Sequence, residues 1–309
     1  MRFLVTGLLV LLAAASLVCR AQTPNPEASA IDAPKAVLVT GASTGIGRKI
    51  TEHLASRGYF VYAGARKQAD LDALNAIKNV QAVRLDVTQQ KDIDAAFETI
   101  SKGGRGLYGL VNNAGIATVG PVAETSMEEF DLLMDVNVYG PYRMARAFTP
   151  LIVAAKGRIT NIGSISGILA SRDLAAYSMS KHAIEAFTDS LAAQLAPLGV
   201  QVSVVEPGNY DTDIGKNAAQ RTGVDSRLAD RSKYKKPDEV AAAVEQALFE
   251  ENPKHRYMVV PEQHEAEITI RKQVEQLVQL NEGQPYTYDR DALAKMLDEA
   301  LATARPRTK

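Results

Sequence analysis

A tyrosine and a lysine stand four residues apart in the stretch YSMSK, from Tyr177 to Lys181. On a helix these two side chains lie on one face, one turn apart. A tyrosine with its ordinary pKa of about 10 holds its proton too tightly for acid–base work near neutrality. The ammonium of Lys181 favours the phenolate and is expected to lower the pKa of Tyr177. A shift to about 7 requires roughly 4 kcal/mol, and an exposed ion pair supplies only about 0–1 kcal/mol. We therefore expect a partly desolvated site.

A glycine-rich segment, TGASTGIG (40–47), lies between a predicted strand and a predicted helix. Glycines at this spacing let the backbone turn tightly and let a pyrophosphate approach the first amides of the helix. The alternative is a plain strand-to-helix turn. Because the segment closes a strand and opens a helix, it predicts a dinucleotide site.

The end of the second predicted strand carries the sequence GAR, from Gly64 to Arg66. A site for NAD typically has an acidic residue here, which binds the ribose hydroxyls. No carboxylate is present at residues 63–65, and Arg66 is available to pair with a 2′-phosphate. The sequence therefore favours NADP over NAD, and the alternative is a solvated surface arginine.

Short apolar runs alternate with helix-like segments from Ala36 onward. Uninterrupted aliphatic strands separated by amphipathic helices predict an α/β fold, a Rossmann-like doubly wound parallel sheet with helices on both faces in a single domain. Long helices are expected at 137–155 and 175–196, and another from about Pro237. The predicted strands are AVLVT (36–40), YFVYA (59–63), VQAVRL (80–85), LYGLV (107–111), GRITNI (157–162), VQVSVV (200–205) and, less regularly, RYMVV (256–260).

The first 21 residues have the pattern of a signal peptide, with Arg2, an uncharged run over 3–18 and Arg20. The run is shorter than the roughly 20 residues of a spanning helix, so cleavage after Ala21 is favoured over a permanent anchor. Residues 22–34 are predicted to be a linker and 35–309 the folded domain. We expect export or membrane association through this segment; the alternative is a mis-assigned start and a cytoplasmic protein.

Composition narrows the choice of partner. The net charge of −1 gives no electrostatic reason to expect nucleic acid. The single cysteine, Cys19, excludes an internal disulfide framework, and the four histidines show no metal-ligand spacing. We expect a small-molecule partner and no metal.

Seven segments, in this order and at these distances, resemble the short-chain dehydrogenase/reductase family, in its single-domain branch, over roughly 36–258. They are TGASTGIG, LDVT (85–88), NNAG (112–115), DVNVYG around Asn137, GSISG (163–167), YSMSK and PGNYDT (207–212).

The resemblance implies an oxidoreductase that interconverts a carbonyl and a secondary alcohol by hydride transfer. Tyr177 would donate a proton to the developing alkoxide, Ser164 would hydrogen-bond that oxygen, Lys181 would hold the nicotinamide ribose, and Asn137 would complete the catalytic set. A homodimer or homotetramer is also implied. The alternative is a catalytically silent dinucleotide sensor or scaffold of the same fold. The glycine segment and the resemblance together give these cofactor-binding residues: Gly41, Ser43, Thr44, Gly45, Ile46, Gly47, Arg66, Asp86, Val87, Asn113, Ala114, Gly115, Tyr177, Lys181, Pro207, Gly208 and Thr212.

A polar segment over 211–236 is predicted to begin a C-terminal lid over the substrate. One interpretation of this charged segment is a face that is simply solvated. The other is a mobile lid that attracts an acidic substrate or the cofactor phosphates. The leading expectation for the substrate is an apolar ketone or alcohol. Seven basic residues lie in this segment: Lys216, Arg221, Arg227, Arg231, Lys233, Lys235 and Lys236.

Overall fold

The computed structural model describes residues 35–223 and 230–303. The predicted signal peptide (1–21) and linker (22–34) lie outside the described residues, as does part of the predicted lid, 224–229, with Arg227. Among the described helices, none has the length and apolar character needed to cross a bilayer.

Seven strands of the described residues form one parallel sheet in the order β3-β2-β1-β4-β5-β6-β7. Each predicted apolar run overlaps one strand, so the prediction of a doubly wound parallel sheet is confirmed. The strands are β1 (Ala36–Val39), β2 (Phe60–Ala65), β3 (Val80–Arg84), β4 (Gly109–Asn112), β5 (Arg158–Ile162), β6 (Gln201–Pro207) and β7 (Arg256–Val259).

Strand β1 lies at the point where the winding of the sheet reverses. It pairs with β2 on one side and β4 on the other, so that Val37 lies opposite both Val61 and Gly109. Connections that leave in opposite directions from adjacent parallel strands open a crevice outside their carboxyl ends. The segments following β1 and β4 therefore border one crevice.

Helices cover both faces of the sheet. Alternate residues of β1 point to opposite faces: Val37 packs with the apolar residues of α1, α2 and α8, and Leu38 with those of α3, α5 and α6. The helices are α1 (Gly45–Ser56), α2 (Gln68–Asn75), α3 (Gln90–Lys102), α4 (Met127–Met134), α5 (Gly140–Ala154), α6 (Ala175–Leu195), α7 (Ile214–Thr222), α8 (Asp238–Phe249), α9 (Gln263–Asn281) and α10 (Arg290–Thr303).

A π-helical turn at Asp135–Tyr139 joins α4 to α5. The sequence predicted an ordinary helix from Asn137 onward, and only its continuation as α5 is α-helical. Single π-turns within α-helices occur frequently at functional sites. Here the turn contains Asn137, one of the predicted catalytic residues.

Glu206 is a buried carboxylate in β6. It is 3 % exposed, and its Oε1 has no hydrogen-bond partner among the described residues. Burial, together with the neighbouring Glu185, raises the pKa of Glu206 to about 7 against the opposing charge of Arg256. The folded state therefore holds a proton here more tightly than an unfolded chain does.

The pH dependence of stability should depend on Glu206. Because its folded pKa is raised, its contribution to the free energy of unfolding is complete below the unfolded pKa and is lost as the pH rises through about 7. Between pH 5 and pH 8.5, the wild type should lose about 1–3 kcal/mol more than Glu206→Gln. Urea unfolding of both proteins at each pH measures this. The exposed Glu251→Gln is the control, and equal losses in wild type and Glu206→Gln would contradict the assignment.

Candidate active site

A cavity of about 600 Å³ opens at the carboxyl ends of the strands around β1 and β4. Every residue predicted to bind the cofactor lines it, from Gly41 after β1 to Thr212 after β6, and Ser164 lines it as well. The segments that meet there are far apart in sequence, and the parallel sheet brings them to one edge. The structure therefore gathers the predicted residues, apart from Asn137, around one space.

The glycine segment forms a cradle that side chains would fill. Gly41 has a φ of +65°, and a Cβ there would lie 2.8 Å from the Cα of Ala114. A Cβ at Gly47 would collide with the amide of Asn113 and the carbonyl of Gly41. The first turn of α1, which follows, has no acidic residue. A backbone cradle at an uncompensated helix N-terminus suits a pyrophosphate, so these residues fit a dinucleotide.

Thr40 connects this cradle to the loop after β4. Its Oγ1 accepts hydrogen bonds from the backbone N–H of Asn113 at 3.0 Å and of Ala114 at 2.9 Å. The Asn113 amide in turn donates to the carbonyl of Thr40 at 2.8 Å. The two walls of the crevice are thus fixed to each other by polar contacts.

One rim of the cavity, after β2 and β3, carries charge. Arg66 is exposed there, with its Nη1 4.0 Å from Oδ2 of Asp86. Lys67 and Asp70 also line this rim. The sequence analysis did not single out Lys67, although a second cation beside Arg66 was a visible signal. The rim combines two cations with two carboxylates.

Lys181 is buried beneath the cavity on α6. Its Nζ donates a hydrogen bond to the carbonyl of Ile162 at 2.9 Å and lies 5.7 Å from the centre of the Tyr177 ring. Burial lowers the pKa of Lys181 to about 8, and the nearby Glu185 opposes this shift. Lys181 therefore holds its proton less tightly than a surface lysine does.

The pKa of Tyr177 is raised above its ordinary value, mainly because burial disfavours the phenolate. A hydrogen bond with Ser164 and the charge of Arg231 act in the opposite direction but do not overcome it. The expectation of a lowered pKa is therefore wrong for the protein groups alone. The one-turn spacing and a partly desolvated site were predictable, whereas the net effect of that desolvation, which raises the pKa of the phenol, was not.

Ser164 follows β5 and begins a 3₁₀ turn at Ile165–Gly167. Its Oγ accepts a hydrogen bond from the N–H of Ser166 at 3.1 Å, which fixes the hydroxyl oxygen. The side chain is buried and reaches both the cavity and Tyr177. The serine and the phenol therefore present two polar groups to one position.

Asn137 lies behind the cavity wall and does not line it. Its Oδ1 accepts from the N–H of Ile116 at 2.9 Å, and its Nδ2 donates to the carbonyl of Ile116 at 2.9 Å and to Oγ of Ser180 at 3.0 Å. Ser180 in turn donates to the carbonyl of Tyr177 at 2.7 Å. Asn137 thus ties the loop after β4 to the helix turn that carries Tyr177.

The lid segment supplies cavity residues that the sequence analysis did not distinguish. Arg221, on α7, lines the cavity and makes a two-pronged ion pair with Glu129, with Nε–Oε2 at 3.0 Å and Nη2–Oε1 at 2.7 Å. Arg231 lines the same space. In the sequence both belonged to one basic run without individual assignments.

Within 35–223 and 230–303, no group of three or more His, Cys, Asp or Glu side chains is arranged to hold a metal ion.

Curated proteins of similar sequence are oxidoreductases. The chain is 41 % identical over 200 residues to the mitochondrial D-beta-hydroxybutyrate dehydrogenase of Mus musculus, covering 61 % of this chain and 58 % of that protein. It is 36 % identical over 183 residues to retinol dehydrogenase 5 of Mus musculus, covering 58 % and 57 %. The chain spans between 54 % and 58 % of the length of the three D-beta-hydroxybutyrate dehydrogenases that it matches.

Solved structures of similar fold contain either nicotinamide cofactor. A short chain dehydrogenase from Burkholderia cenocepacia J2315 in complex with NADP is 29 % identical, with a TM-score of 0.66 over 82 % of this chain and 99 % of that one. The 3-ketoacyl-(acyl-carrier-protein) reductase from Brucella melitensis complexed with NADH is 26 % identical, with a TM-score of 0.65 over 74 % and 97 %.

A model of the family described as short chain dehydrogenase matches residues 35–223, which is more than half of the chain. This range includes the glycine cradle and the YSMSK helix, and it ends in the lid after α7. The chain therefore belongs to the short chain dehydrogenase family, whose members are oxidoreductases acting on small molecules.

Proposed function

We propose that the chain is an NADP(H)-dependent oxidoreductase that interconverts a carbonyl compound and a secondary alcohol, with Tyr177 as the acid–base group. The observation that carries the proposal is the shared cavity. A glycine cradle suited to a pyrophosphate lines the same space as Ser164, which is buried, and Tyr177, which is half-buried. Neither group would be useful without the other in an oxidoreductase.

Residues of this chain would hold the cofactor along that cavity. The cradle from Gly41 to Gly47 would hold the pyrophosphate, and Asp86 and Val87 would border the adenine. When bound, a nicotinamide cofactor supplies or accepts the hydride at the reacting carbon. Side chains of the protein would carry out the proton transfer and hold the reacting oxygen.

Tyr177 would supply the proton in the reduction direction. Because burial raises its pKa, the phenol is protonated at neutral pH and has a proton to give. As the carbonyl carbon gains the hydride, the carbonyl oxygen takes this proton, and solvent later restores it to Tyr177. Ser164 would donate a hydrogen bond to the same oxygen, and the nearby ammonium of Lys181 would stabilise the transient phenolate.

Asn137 would act as a positioning residue. Its hydrogen bonds to Ile116 and Ser180 hold the loop after β4 against α6. Gly115 lies between Asn137 and Lys181, because a Cβ there would be 3.4 Å from Oδ1 and 3.9 Å from Nζ. The side-chain amide of Asn137 therefore helps to fix the surroundings of the Lys181 ammonium.

The preference for NADP rests on the rim after β2. Arg66 and Lys67 supply two cations on this rim, where we expect the 2′-phosphate, and Arg66 has only a loose pair with Asp86. The guanidinium is thus free to make bidentate hydrogen bonds to a phosphate. The names of the similar proteins include both D-beta-hydroxybutyrate and retinol, so they do not agree on a substrate.

We also propose a homodimer or homotetramer. Tyr139, Tyr142 and Met179, on the π-turn, α5 and α6, are each more than half exposed. Large apolar side chains on one pair of long helices suit an interface between copies.

Replacing Tyr177 with Phe should abolish the proton donor and leave the cavity shape intact. We expect kcat to fall by about 10²–10⁴-fold, with the Kd for NADPH changed by less than about twofold because Lys181 and the cradle remain. Steady-state assays on a carbonyl panel and fluorescence titration measure the two quantities. The exposed Tyr288→Phe serves as control, and near-wild-type turnover in Tyr177→Phe would exclude the mechanism.

Replacing Arg66 with Ala should change the choice of cofactor. Loss of charge-assisted hydrogen bonds should raise the Kd for NADPH about 10–100-fold and that for NADH by about twofold or less. Arg57→Ala removes an equally exposed charge far from the cavity and should change neither. Tighter binding of NADH than NADPH by the wild type would refute the assignment of Arg66.

A charge placed on the α5–α6 surface should disrupt the oligomer. Tyr142→Glu is expected to shift the sedimentation mass towards the monomer, because a carboxylate would be desolvated at the interface. Leu198→Glu introduces the same charge at an exposed position after α6 and should leave the mass unchanged. A monomeric wild type would rule out the proposed assembly.

A further inference from the structure

Arg231 carries a positive charge into the cavity wall without a carboxylate partner among the described residues. Its Nη2 donates to Oδ1 of Asn209 at 3.0 Å, and its Nη1 donates to the carbonyl of Tyr210 at 3.3 Å. Both acceptors are neutral. Its Nε is buried and has no hydrogen-bond partner among the described residues. An unpaired buried donor is costly, and no carboxylate of the described residues compensates this guanidinium.

Two other lid cations are neutralised by carboxylates of the protein. Arg221 is paired with Glu129 by two prongs, and Lys236 is paired with Asp211. Arg221 thereby attaches the lid to α4, whereas Lys236 and Asp211 join the two ends of the 211–236 segment. Arg231 differs from them because its hydrogen bonds position the guanidinium and leave its charge uncompensated.

A buried carboxylate from α9 fixes the orientation of this guanidinium. Glu265 accepts hydrogen bonds from the backbone N–H of Asn209 at 3.1 Å and from its side-chain amide. The amide oxygen of Asn209 is thereby directed away from Glu265 and is available to Arg231. Groups that are held in this way can bind a ligand without first being ordered.

Arg231 shares the cavity with the reacting groups. It lines the same space as Ser164 and Tyr177. Its positive charge also opposes the rise in the pKa of Tyr177. An anion bound by Arg231 would therefore lie at the reacting end of the cavity.

We propose that Arg231 binds the carboxylate of the substrate, so that the enzyme acts on oxo acids or hydroxy acids rather than on uncharged ketones or alcohols. This inference rests on the proposed function and specifies its substrate class. A guanidinium holds a carboxylate by two parallel N–H···O bonds and compensates its charge.

The test compares substrates that differ only in charge: 3-oxobutanoate and 4-oxopentanoate, each against its methyl ester. The wild type should prefer the acids in kcat/KM by about tenfold or more. In Arg231→Gln, kcat/KM for the acids should fall about 10–100-fold, and that for the esters by no more than about threefold. Arg231→Lys should be intermediate on the acids, because it keeps the charge without the fork.

Two controls separate binding from folding. Lys233→Gln removes one exposed charge of the same segment and should behave as the wild type. Thermal unfolding and the Kd for NADPH should be the same in Arg231→Gln as in the wild type. Equal losses on acids and esters, a wild-type preference for the esters, or weakened NADPH binding in Arg231→Gln would overturn the proposal.

A binding experiment that needs no turnover distinguishes this inference from the proposed function. Calorimetry with NADP-loaded Tyr177→Phe should detect 4-oxopentanoate, and the Tyr177→Phe/Arg231→Gln double variant should bind it about 10–100-fold more weakly. Arg231-dependent binding without turnover by the wild type would refute the proposed function and leave the carboxylate site standing. Turnover of acids and esters that is indifferent to Arg231 would refute the site and leave the function standing.

Discussion

The desolvation of Tyr177 and Lys181 is the constraint on which the site depends. Removal of water disfavours the charged form of both groups, so the pKa of the phenol rises and that of the ammonium falls to about 8. A cation can remain in such a position only with a polar partner, which the carbonyl of Ile162 provides. The protein groups alone thus favour a neutral phenol beside a lysine whose pKa of about 8 keeps it mostly charged at neutral pH, a pair suited to proton donation.

The topology of the sheet provides this burial and the cofactor cradle together. β5 ends at Ile162, so its last carbonyl and the following Ser164 lie at the edge where β1 delivers the glycine segment. Helix α6 lies against this edge and carries the phenol and the ammonium one turn apart. All seven strands of the described sheet are parallel. Their carboxyl ends therefore lie at one edge, where the segments that follow them border the site.

Local patterns predicted the parts of this arrangement that local physics determines. The strands followed from apolar runs, and the cradle followed from glycine spacing, since a side chain at Gly47 would collide with its neighbours. The π-turn around Asn137 did not follow from the helical pattern of the sequence, because hydrogen bonds to Ile116 and Ser180 from distant segments accompany it. The raised pKa of Tyr177 was missed because the balance between desolvation and the neighbouring charges depends on the assembled fold.

The basic run of the lid shows this limit most clearly. In the sequence, Arg221 and Arg231 are equivalent cations of one polar segment. In the structure, α4 supplies Glu129 to neutralise the first, whereas α9 supplies Glu265 only to fix Asn209, the neutral partner of the second. A salt bridge attaches the lid and neutralises the cation that makes it. A hydrogen bond to a neutral amide orients a guanidinium without neutralising it. The choice of partner therefore decides which cation of the lid is available to an anion in the cavity.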